Sequence, residues 1–303
     1  VDLYFLPVDE AADEKILIDQ KVFHVCPVKD IGIPDYKKMA FAYDIVEFNT
    51  AVKPFFINYL FKKGYKKVIY LDPDILVCNP LDAALDALND HSIVVTPHQL
   101  SPVNDVDSFI PYLQWEQSAL LTGIFNLGFI GVANTEEGMS FLEWWSNRCN
   151  YLCLLEPEIG LFVDQKWINL VPCFFPSTYI LRHKGYNMSV WNLHDRMLIN
   201  HLVNGTEPLV FYHFSSIYMN NPEVISKHDK TLTLKDRPDL IDLFRSYREK
   251  VKNNSYDYFR KLPYGYDCFN DGQKINLLER RLYAAVSENY PDPFSTPSND
   301  FYA

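Results

Sequence analysis

Two aspartates separated by a single proline, Asp72 and Asp74, have the residue types and spacing of a metal site. They follow the apolar run 67–71, which is typical of a buried strand, and a second apolar run, 75–77, comes directly after them. Proline removes a backbone donor and fixes φ, so the chain is expected to turn here and let the carboxylates converge. Carboxylates suit Mg²⁺ or Mn²⁺, ions that commonly bridge to substrate phosphates. The pattern predicts a divalent-metal site, and the alternative is two solvated aspartates in a turn.

A histidine at the end of another apolar run, His213 after residues 209–212, is a candidate third ligand. Imidazole binds Mn²⁺ well and Mg²⁺ or Ca²⁺ poorly, so this residue would shift the metal preference toward manganese. The alternative is a structural histidine at a strand end. Lys227 and His228 follow, where they would set positive charge against a diphosphate or form an ordinary basic surface.

Polar residues inside apolar segments supply a candidate sugar site. Asp164 and Gln165 are adjacent and interrupt an apolar stretch, which suits hydrogen bonds to sugar hydroxyls. Residues 186–194 combine aromatic and amide side chains that are typical of carbohydrate recognition, although asparagine also forms turns.

The elements that must position these residues alternate between strand and helix up to residue 230. The strand-like runs are residues 3–8, 21–25, 67–71, 92–96 and 127–132, and the helix-like runs are 51–63 and 135–150. Because parallel strands need helical crossovers, we predict an α/β, Rossmann-like three-layer sandwich with a mostly parallel sheet over residues 1–230. Residues 231–303 are predicted to form a C-terminal helical appendage, with helices at 240–252 and 275–287, that ends in a tail.

The composition excludes several classes of protein. With 28 basic and 39 acidic side chains the chain carries a formal net charge of −11, which argues against nucleic-acid binding. Its six cysteines contain no CxxC pair, so a reducing compartment fits better than a disulfide framework or a zinc site. No apolar run reaches the roughly 18 residues of a membrane span, and a signal peptide is not recognisable.

Several motifs occur in a fixed order along residues 3–275. They are Lys53, Asp72-Pro-Asp74, Asn126-Leu-Gly128, Asp164-Gln165, His213-Phe-Ser and Lys227. This series resembles the metal-dependent GT-A glycosyltransferases, above all glycosyltransferase family 8 and bacterial enzymes of surface-polysaccharide synthesis. The resemblance implies retaining transfer of a sugar from a nucleotide-diphosphate-sugar to a glycan or lipid-linked acceptor. It also implies a cytoplasmic location, with peripheral association at the inner face of a membrane.

The resemblance implies roles for the charged residues of the series. Asp72, Asp74 and His213 would hold Mn²⁺, or Mg²⁺, and the ion would stabilise the departing diphosphate. Lys53 and Lys227 would contact the nucleotide or its phosphates. The family ending HxGxxKPW is matched only loosely, because Lys227 stands far beyond His213 in the sequence.

The uncharged and remaining acidic residues of the series are implied to bind the transferred sugar. Asn126, Asp164 and Gln165 would surround it, and Asp164 and Gln165 would be the catalytic candidates, with Gln165 near the reacting face. Since the chain opens on Val1 and residues 1–8 resemble the family's second strand, the first nucleotide-binding strand is expected to be missing.

Two other functions are compatible with the sequence. In a phosphohydrolase, Asp72 would be a covalent nucleophile and Asp74 a general acid, but a downstream GDxxxD motif is absent from the sequence. A non-catalytic carbohydrate-binding protein would use the surface expected from the 20 Tyr and 5 Trp residues.

Overall fold

The structure is a computed structural model that describes residues 1–9, 22–103, 106–288, 290 and 292–295. The chain divides into two compact units, each of them discontinuous in sequence. The first comprises Val1–Gly64, Met139–Asp164 and Asp257–Ala303, and the second comprises Tyr65–Gly138 and Gln165–Tyr256. Strands and helices are mixed along the chain, which confirms the α/β class. The domain boundary at residues 230 and 231 stays a prediction.

The first unit is mainly helical, with two small sheets. Its helices span Tyr36–Ala42, Ile45–Ala51, Lys53–Lys62 and Leu277–Val286, with 3-10 turns at Val28–Asp30, Pro157–Ile159 and Pro293–Ser295. Tyr4–Phe5 pairs in parallel with His24–Val25, and Leu155–Glu156 pairs antiparallel with Leu161–Phe162. The chain passes from one unit to the other at four points, and two of these fall inside the helices Glu136–Leu152 and Tyr256–Phe259.

A side-chain cap at Asp44 defines where helix Ile45–Ala51 of the first unit begins. Asp44 accepts hydrogen bonds from the backbone of Val46 and Glu47, and the Glu47 side chain accepts one from the backbone of Asp44 in return. The predicted helix 51–63 is confirmed with narrower bounds, as Lys53–Lys62 with a proline in its first turn.

The second unit is built on a four-stranded sheet. Its order is Lys67–Leu71, Phe125–Ala133, Ile93–Pro97 and Thr178–Ile180. Among the described strands of this sheet, two pairings are antiparallel and one, Ile93–Pro97 with Thr178–Ile180, is parallel. The prediction of a mostly parallel sheet is therefore wrong here. A continuous apolar run indicates that a strand is buried on both faces, but it does not indicate the direction of its neighbours. Phe125–Ala133 is buried throughout, and both of its neighbours run antiparallel to it.

Further elements of the second unit bring remote segments together. The strand Ile75–Val77 pairs antiparallel with Phe211–His213, and Val224–Ser226 pairs antiparallel with Asp229–Thr233. A third small sheet joins Leu198–Ile199, Leu202–Val203 and Glu207–Pro208. The helices are Asp82–Asp90, Val106–Thr122, Val171–Phe174 and Ile241–Asn253, and the 3-10 turns are Lys166–Leu170, Val190–Asn192 and Pro238–Leu240.

Both predicted C-terminal helices are confirmed. Ile241–Asn253 belongs to the second unit, where Phe244 is 1% exposed and packs in an apolar cluster with Tyr212 and Phe214. Leu277–Val286 belongs to the first unit. The predicted tail lies largely outside the described residues. No helix in the described part of the chain has the length and apolar character that crossing a bilayer requires.

Candidate metal centre

The two aspartates lie at a turn between two strands of the second unit. Strand Lys67–Leu71 ends just before Asp72, whose backbone N–H donates to the carbonyl of Gly128 at 2.8 Å. The N–H of Ile75 then donates back to the carbonyl of Asp72 at 3.1 Å, which closes the turn around the proline. The predicted turn between Asp72 and Asp74 is thus present.

Strand pairing places His213 beside this turn. His213 is the partner of Ile75 in the antiparallel pair, and the N–H of Phe214 donates to the carbonyl of Asp74 at 2.9 Å. Residues more than a hundred positions apart in the sequence therefore share one end of a two-stranded ribbon.

Asp72, Asp74 and His213 form a cluster that could hold a metal ion. One ligand atom of each residue lies within 4.8 Å of the others. His213 Nε2 is 3.0 Å from Asp74 Oδ1 and 3.9 Å from Asp72 Oδ2. The Tyr70 hydroxyl donates to Asp72 Oδ1 at 2.7 Å and so orients that carboxylate.

The accessibility of the cluster differs between its members. The His213 side chain is 4% exposed, whereas those of Asp72 and Asp74 are 27% and 38% exposed. The imidazole therefore forms the closed side of the cluster and the carboxylates form its open side. Two carboxylates and one imidazole suit a divalent ion such as Mn²⁺, and an open side leaves coordination positions for further oxygen ligands.

A buried polar group lies directly behind His213. Asn126 Oδ1 is 3.1 Å from His213 Nδ1, and it also accepts from the Gly128 N–H and from Asn187 Nδ2, each at 3.1 Å. Asn126 Nδ2 lies 3.3 Å from His98 Nε2. A Cβ on Gly128 would lie 2.7 Å from His213 Nδ1, so this strand position requires glycine.

The side chain of Gln165, which is predicted to act near the sugar, forms hydrogen bonds with the backbone of its own unit. Its Oε1 accepts from the N–H of Leu127 at 3.0 Å and its Nε2 donates to the carbonyl of Thr122 at 3.2 Å. These bonds hold the side chain beside Asn126, whose Nδ2 is 3.5 Å from Gln165 Oε1. A catalytic role for Gln165 stays a prediction.

Lys53 and Asp164 lie in the first unit and pair with each other. Lys53 Nζ is 3.1 Å from Asp164 Oδ2, and the side chains are 3% and 1% exposed. Trp145 Nε1 donates to the Asp164 carbonyl at 3.3 Å. Each charge is thus compensated at a buried position. The predicted roles of Lys53 toward the nucleotide and of Asp164 toward the sugar stay predictions.

Lys227 is distant from His213 in sequence but reaches the loop that follows it. The N–H of Lys227 donates to the carbonyl of Ser216 at 2.9 Å, and the neighbouring His228 Nε2 lies 3.3 Å from Ser215 Oγ. The hairpin of Val224–Ser226 and Asp229–Thr233 brings these basic residues to the loop. Their contact with phosphate stays a prediction.

The chain is similar to two proteins of Bacillus subtilis strain 168. It is 24% identical to the uncharacterized protein YfnF over 254 residues, which cover 80% of each chain. It is 26% identical to the uncharacterized protein YfnD over 222 residues, which cover 70% of this chain and 68% of that one. No family model matches the chain, and no solved structure matches it at a significant level. Neither name states an activity.

The segment 186–194 does not present the carbohydrate-binding surface that its composition indicates. Tyr186, Asn187, Trp191 and Asn192 are all buried. Asn192 Nδ2 donates to the carbonyls of His98 and Asn187, each at 2.9 Å, so its amide holds the local backbone. The alternative, asparagine serving local structure, is the better interpretation.

The sequence analysis did not identify two residues near the metal cluster, His98 and Tyr247, and it assigned a third, Asn187, to carbohydrate recognition. His98 and Asn187 contact Asn126, and Tyr247 is buried close enough to Asp74 for that charge to act on it. Burial, followed by the charge of Asp74, raises the pKa of Tyr247 to about 12. Only the position of His98 just after an apolar strand was a signal in the sequence.

Proposed function

We propose that the protein is a metal-dependent glycosyltransferase that moves a sugar from a nucleotide-diphosphate-sugar to a glycan or lipid-linked acceptor. The half-open cluster of Asp72, Asp74 and His213 is the observation that supports this function best. Its two carboxylates and one imidazole favour Mn²⁺, and Mg²⁺ is the second choice. The GT-A architecture and the cytoplasmic location belong to the same proposal and rest on the resemblance of the motifs.

The charge of the chain explains why a metal would be needed. A protein with a net charge of −11 repels a diphosphate, and Asp72 and Asp74 add local negative charge where the phosphates would lie. A bound divalent ion supplies Lewis-acid stabilisation of the leaving diphosphate. Asp72, Asp74 and His213 would hold the ion, and Lys227 would add positive charge on the phosphate side.

Four further residues are assigned to the sugar and the nucleotide. Asn126 and Gln165 lie together behind His213 in the second unit, and we assign them to positioning the transferred sugar. The roles of Lys53 toward the nucleotide and of Asp164 toward the sugar are proposed from the resemblance alone.

Thermal unfolding against a panel of nucleoside diphosphates, each with and without Mn²⁺, tests the donor site. A ligand present at 100 times its dissociation constant adds about 2.7 kcal/mol to the free energy of unfolding. We expect a metal-dependent shift with one nucleotide in the wild type and in the control Asp90→Asn, which replaces an exposed aspartate of the same unit. The shift should be absent in Asp74→Asn. If no nucleotide of the panel changes the unfolding temperature of the wild type, the proposal is contradicted.

Product analysis then separates the three functions. A glycosyltransferase supplied with the matching nucleotide-sugar and Mn²⁺ releases nucleoside diphosphate and leaves the sugar on the acceptor or on water. A phosphohydrolase releases inorganic phosphate from phosphomonoesters. A carbohydrate-binding protein binds glycan and turns over neither substrate. We expect the first result, and Asp74→Asn should abolish it in a folded protein.

A further inference from the structure

The ring of Tyr247 is held beside the candidate metal centre by its neighbours in the second unit. Tyr247 lies on helix Ile241–Asn253, and its ring stacks on that of Phe214 with 3.7 Å between the centroids and 5° between the planes. The N–H of Phe214 in turn donates to the carbonyl of Asp74 at 2.9 Å. These contacts connect the helix to the turn that carries the carboxylates.

The next residue of the helix fixes its position against a neighbouring loop. Arg248 is 7% exposed, and its guanidinium donates at 3.2 or 3.3 Å to the carbonyls of Tyr218, Pro222 and Val224. A stacked ring on an anchored helix has little rotational freedom. Tyr247 is therefore preorganised, and a hydrogen bond from its hydroxyl to a ligand would cost little side-chain entropy.

The hydroxyl of Tyr247 differs from those of two other tyrosines near the metal centre. The hydroxyl of Tyr70 donates to Asp72 Oδ1 at 2.7 Å, and the hydroxyl of Tyr212 is enclosed by the protein. Tyr247 is also buried, with 7% of the residue exposed, but its hydroxyl is not enclosed and forms no hydrogen bond with another described residue. A fixed aromatic ring thus presents an accessible hydroxyl that the described part of the protein does not use.

This hydroxyl lies near the open side of the metal cluster. The Asp74 side chain, which is 38% exposed, is close enough for its charge to act on Tyr247. It also acts on His228, whose Nε2 lies 3.3 Å from Ser215 Oγ. Tyr247 and His228 therefore approach the exposed carboxylate from the helix and from the hairpin, respectively.

A tyrosine hydroxyl in this position suits an anionic oxygen ligand. It carries its hydrogen at neutral pH, because the ordinary pKa of tyrosine is about 10, and it can therefore donate. A divalent ion held by Asp72, Asp74 and His213 would bring phosphate oxygens to the open side of the cluster. A hydrogen bond to a charged oxygen is roughly twice as strong as one between neutral groups.

We propose that Tyr247 is a substrate-binding residue whose hydroxyl donates a hydrogen bond to a phosphate oxygen of the metal-bound diphosphate. This inference rests on the proposed function and deepens it. It adds a directed hydrogen bond to the positive charge that Lys227 would supply. It also places part of the donor site on a helix beyond residue 230, outside the predicted catalytic domain.

Binding of inorganic pyrophosphate tests this contact without the nucleotide or the sugar. Tyr247→Phe keeps the stacked ring and removes only the hydroxyl, so the affinity for pyrophosphate at a fixed Mn²⁺ concentration should fall by about 10- to 100-fold. The affinity for Mn²⁺ alone should not change. The matched control Tyr212→Phe removes the enclosed hydroxyl of a ring whose centroid lies 4.6 Å from that of Phe214, and it should change neither affinity. Calorimetric titration measures both affinities.

Two results for Tyr247→Phe overturn the inference. If this variant binds pyrophosphate as tightly as the wild type, the hydroxyl makes no hydrogen bond to the ligand. If its affinity for Mn²⁺ alone falls by the same factor, Tyr247 orients Asp74 and does not contact the phosphate.

The failure of this inference can be told apart from the failure of the proposed function. A wild type that binds pyrophosphate with Mn²⁺ but binds no nucleoside diphosphate contradicts the proposed function, and weaker pyrophosphate binding by Tyr247→Phe would still support the contact. A wild type that binds neither ligand contradicts both proposals. Equal binding of the matching nucleoside diphosphate by the wild type and Tyr247→Phe refutes only the role of Tyr247.

Discussion

Gly128 sets how closely strand Phe125–Ala133 can approach His213, the histidine of the candidate metal centre. Gly128→Ala would place a Cβ 2.7 Å from His213 Nδ1 and 2.8 Å from Asn126 Oδ1, so one of these groups must move. We expect Mn²⁺ binding to be lost and the free energy of unfolding to fall by about 1–3 kcal/mol, as overpacked sites generally show. Calorimetry with Mn²⁺ and urea unfolding measure the two effects.

A glycine on the same strand provides the control for that substitution. A Cβ on Gly131 would meet Leu88 Cδ1 at 3.1 Å, and this is the end of a flexible side chain that can give way. Gly131→Ala should therefore leave Mn²⁺ binding unchanged. If both variants lose Mn²⁺ binding equally, close packing against His213 is not the reason.

The buried His98 makes stability depend on pH in a defined direction. Burial lowers its pKa from 6.5 to about 4, the hydrogen bond to Ile124 opposes that change, and the nearby His213 adds to it. Between these two values the unfolded chain binds more protons than the folded one, so stability is full above about pH 6.5 and falls as the pH decreases toward 4.

A His98 variant distinguishes the contribution of His98 to this loss of stability from the contributions of the many carboxylates that titrate in the same range. Between pH 7 and 4.5, His98 should contribute roughly 2–3 kcal/mol of the loss in the free energy of unfolding. Urea unfolding at both pH values should show a smaller loss in His98→Gln than in the wild type. An equal loss in the two proteins would mean that His98 is not buried in its neutral form.

Part of the site could be predicted from the sequence because consecutive elements of the chain form it. Asp72 and Asp74 could be predicted because the apolar strand, the proline turn and the next strand are contiguous. The contacts that join Asn126 to His98 and His213 span 28 and 87 residues, and no local pattern encodes them. The direction of the strands could not be predicted either, because buried strands have the same composition whether they run parallel or antiparallel.

The hairpin of Val224–Ser226 and Asp229–Thr233 brings Lys227 close to the segment that follows His213, although the two residues are distant in sequence. It holds the Lys227 backbone at Ser216, three residues beyond His213. Lys227→Met should weaken the Mn²⁺-dependent binding of the nucleoside diphosphate by about 10- to 100-fold, because a charged hydrogen bond contributes about 1.5–3 kcal/mol. The control is Lys230→Met, an exposed lysine of the same hairpin, and fluorescence titration compares their affinities. If both variants bind the nucleoside diphosphate equally weakly, the lysines act through general electrostatic attraction and Lys227 makes no specific contact with phosphate.

At the scale of the whole molecule, the segment after residue 230 is integrated into both compact units. In the second unit, Tyr247 stacks on Phe214 with 3.7 Å between ring centroids, and Phe244 packs edge-on against the same ring. In the first unit, Arg280 Nη1 donates to the carbonyls of Phe41 and Tyr43 at 2.9 and 2.8 Å. These carbonyls lie at the end of helix Tyr36–Ala42, so helix Leu277–Val286 caps it.

A chain cut after residue 230 should therefore fail to fold, although residues 1–230 were predicted to form the catalytic domain. Removing Phe244 and Tyr247 uncovers the apolar cluster around Phe214, and removing Arg280 leaves buried carbonyls unpaired, each at a cost of about 1–3 kcal/mol. Losses of this number and size are comparable with the 5–15 kcal/mol that stabilises a typical domain. Near-ultraviolet circular dichroism and thermal unfolding of the truncated and full chains measure the outcome. A cooperative transition in the truncated chain would instead support an independent domain with a dispensable appendage.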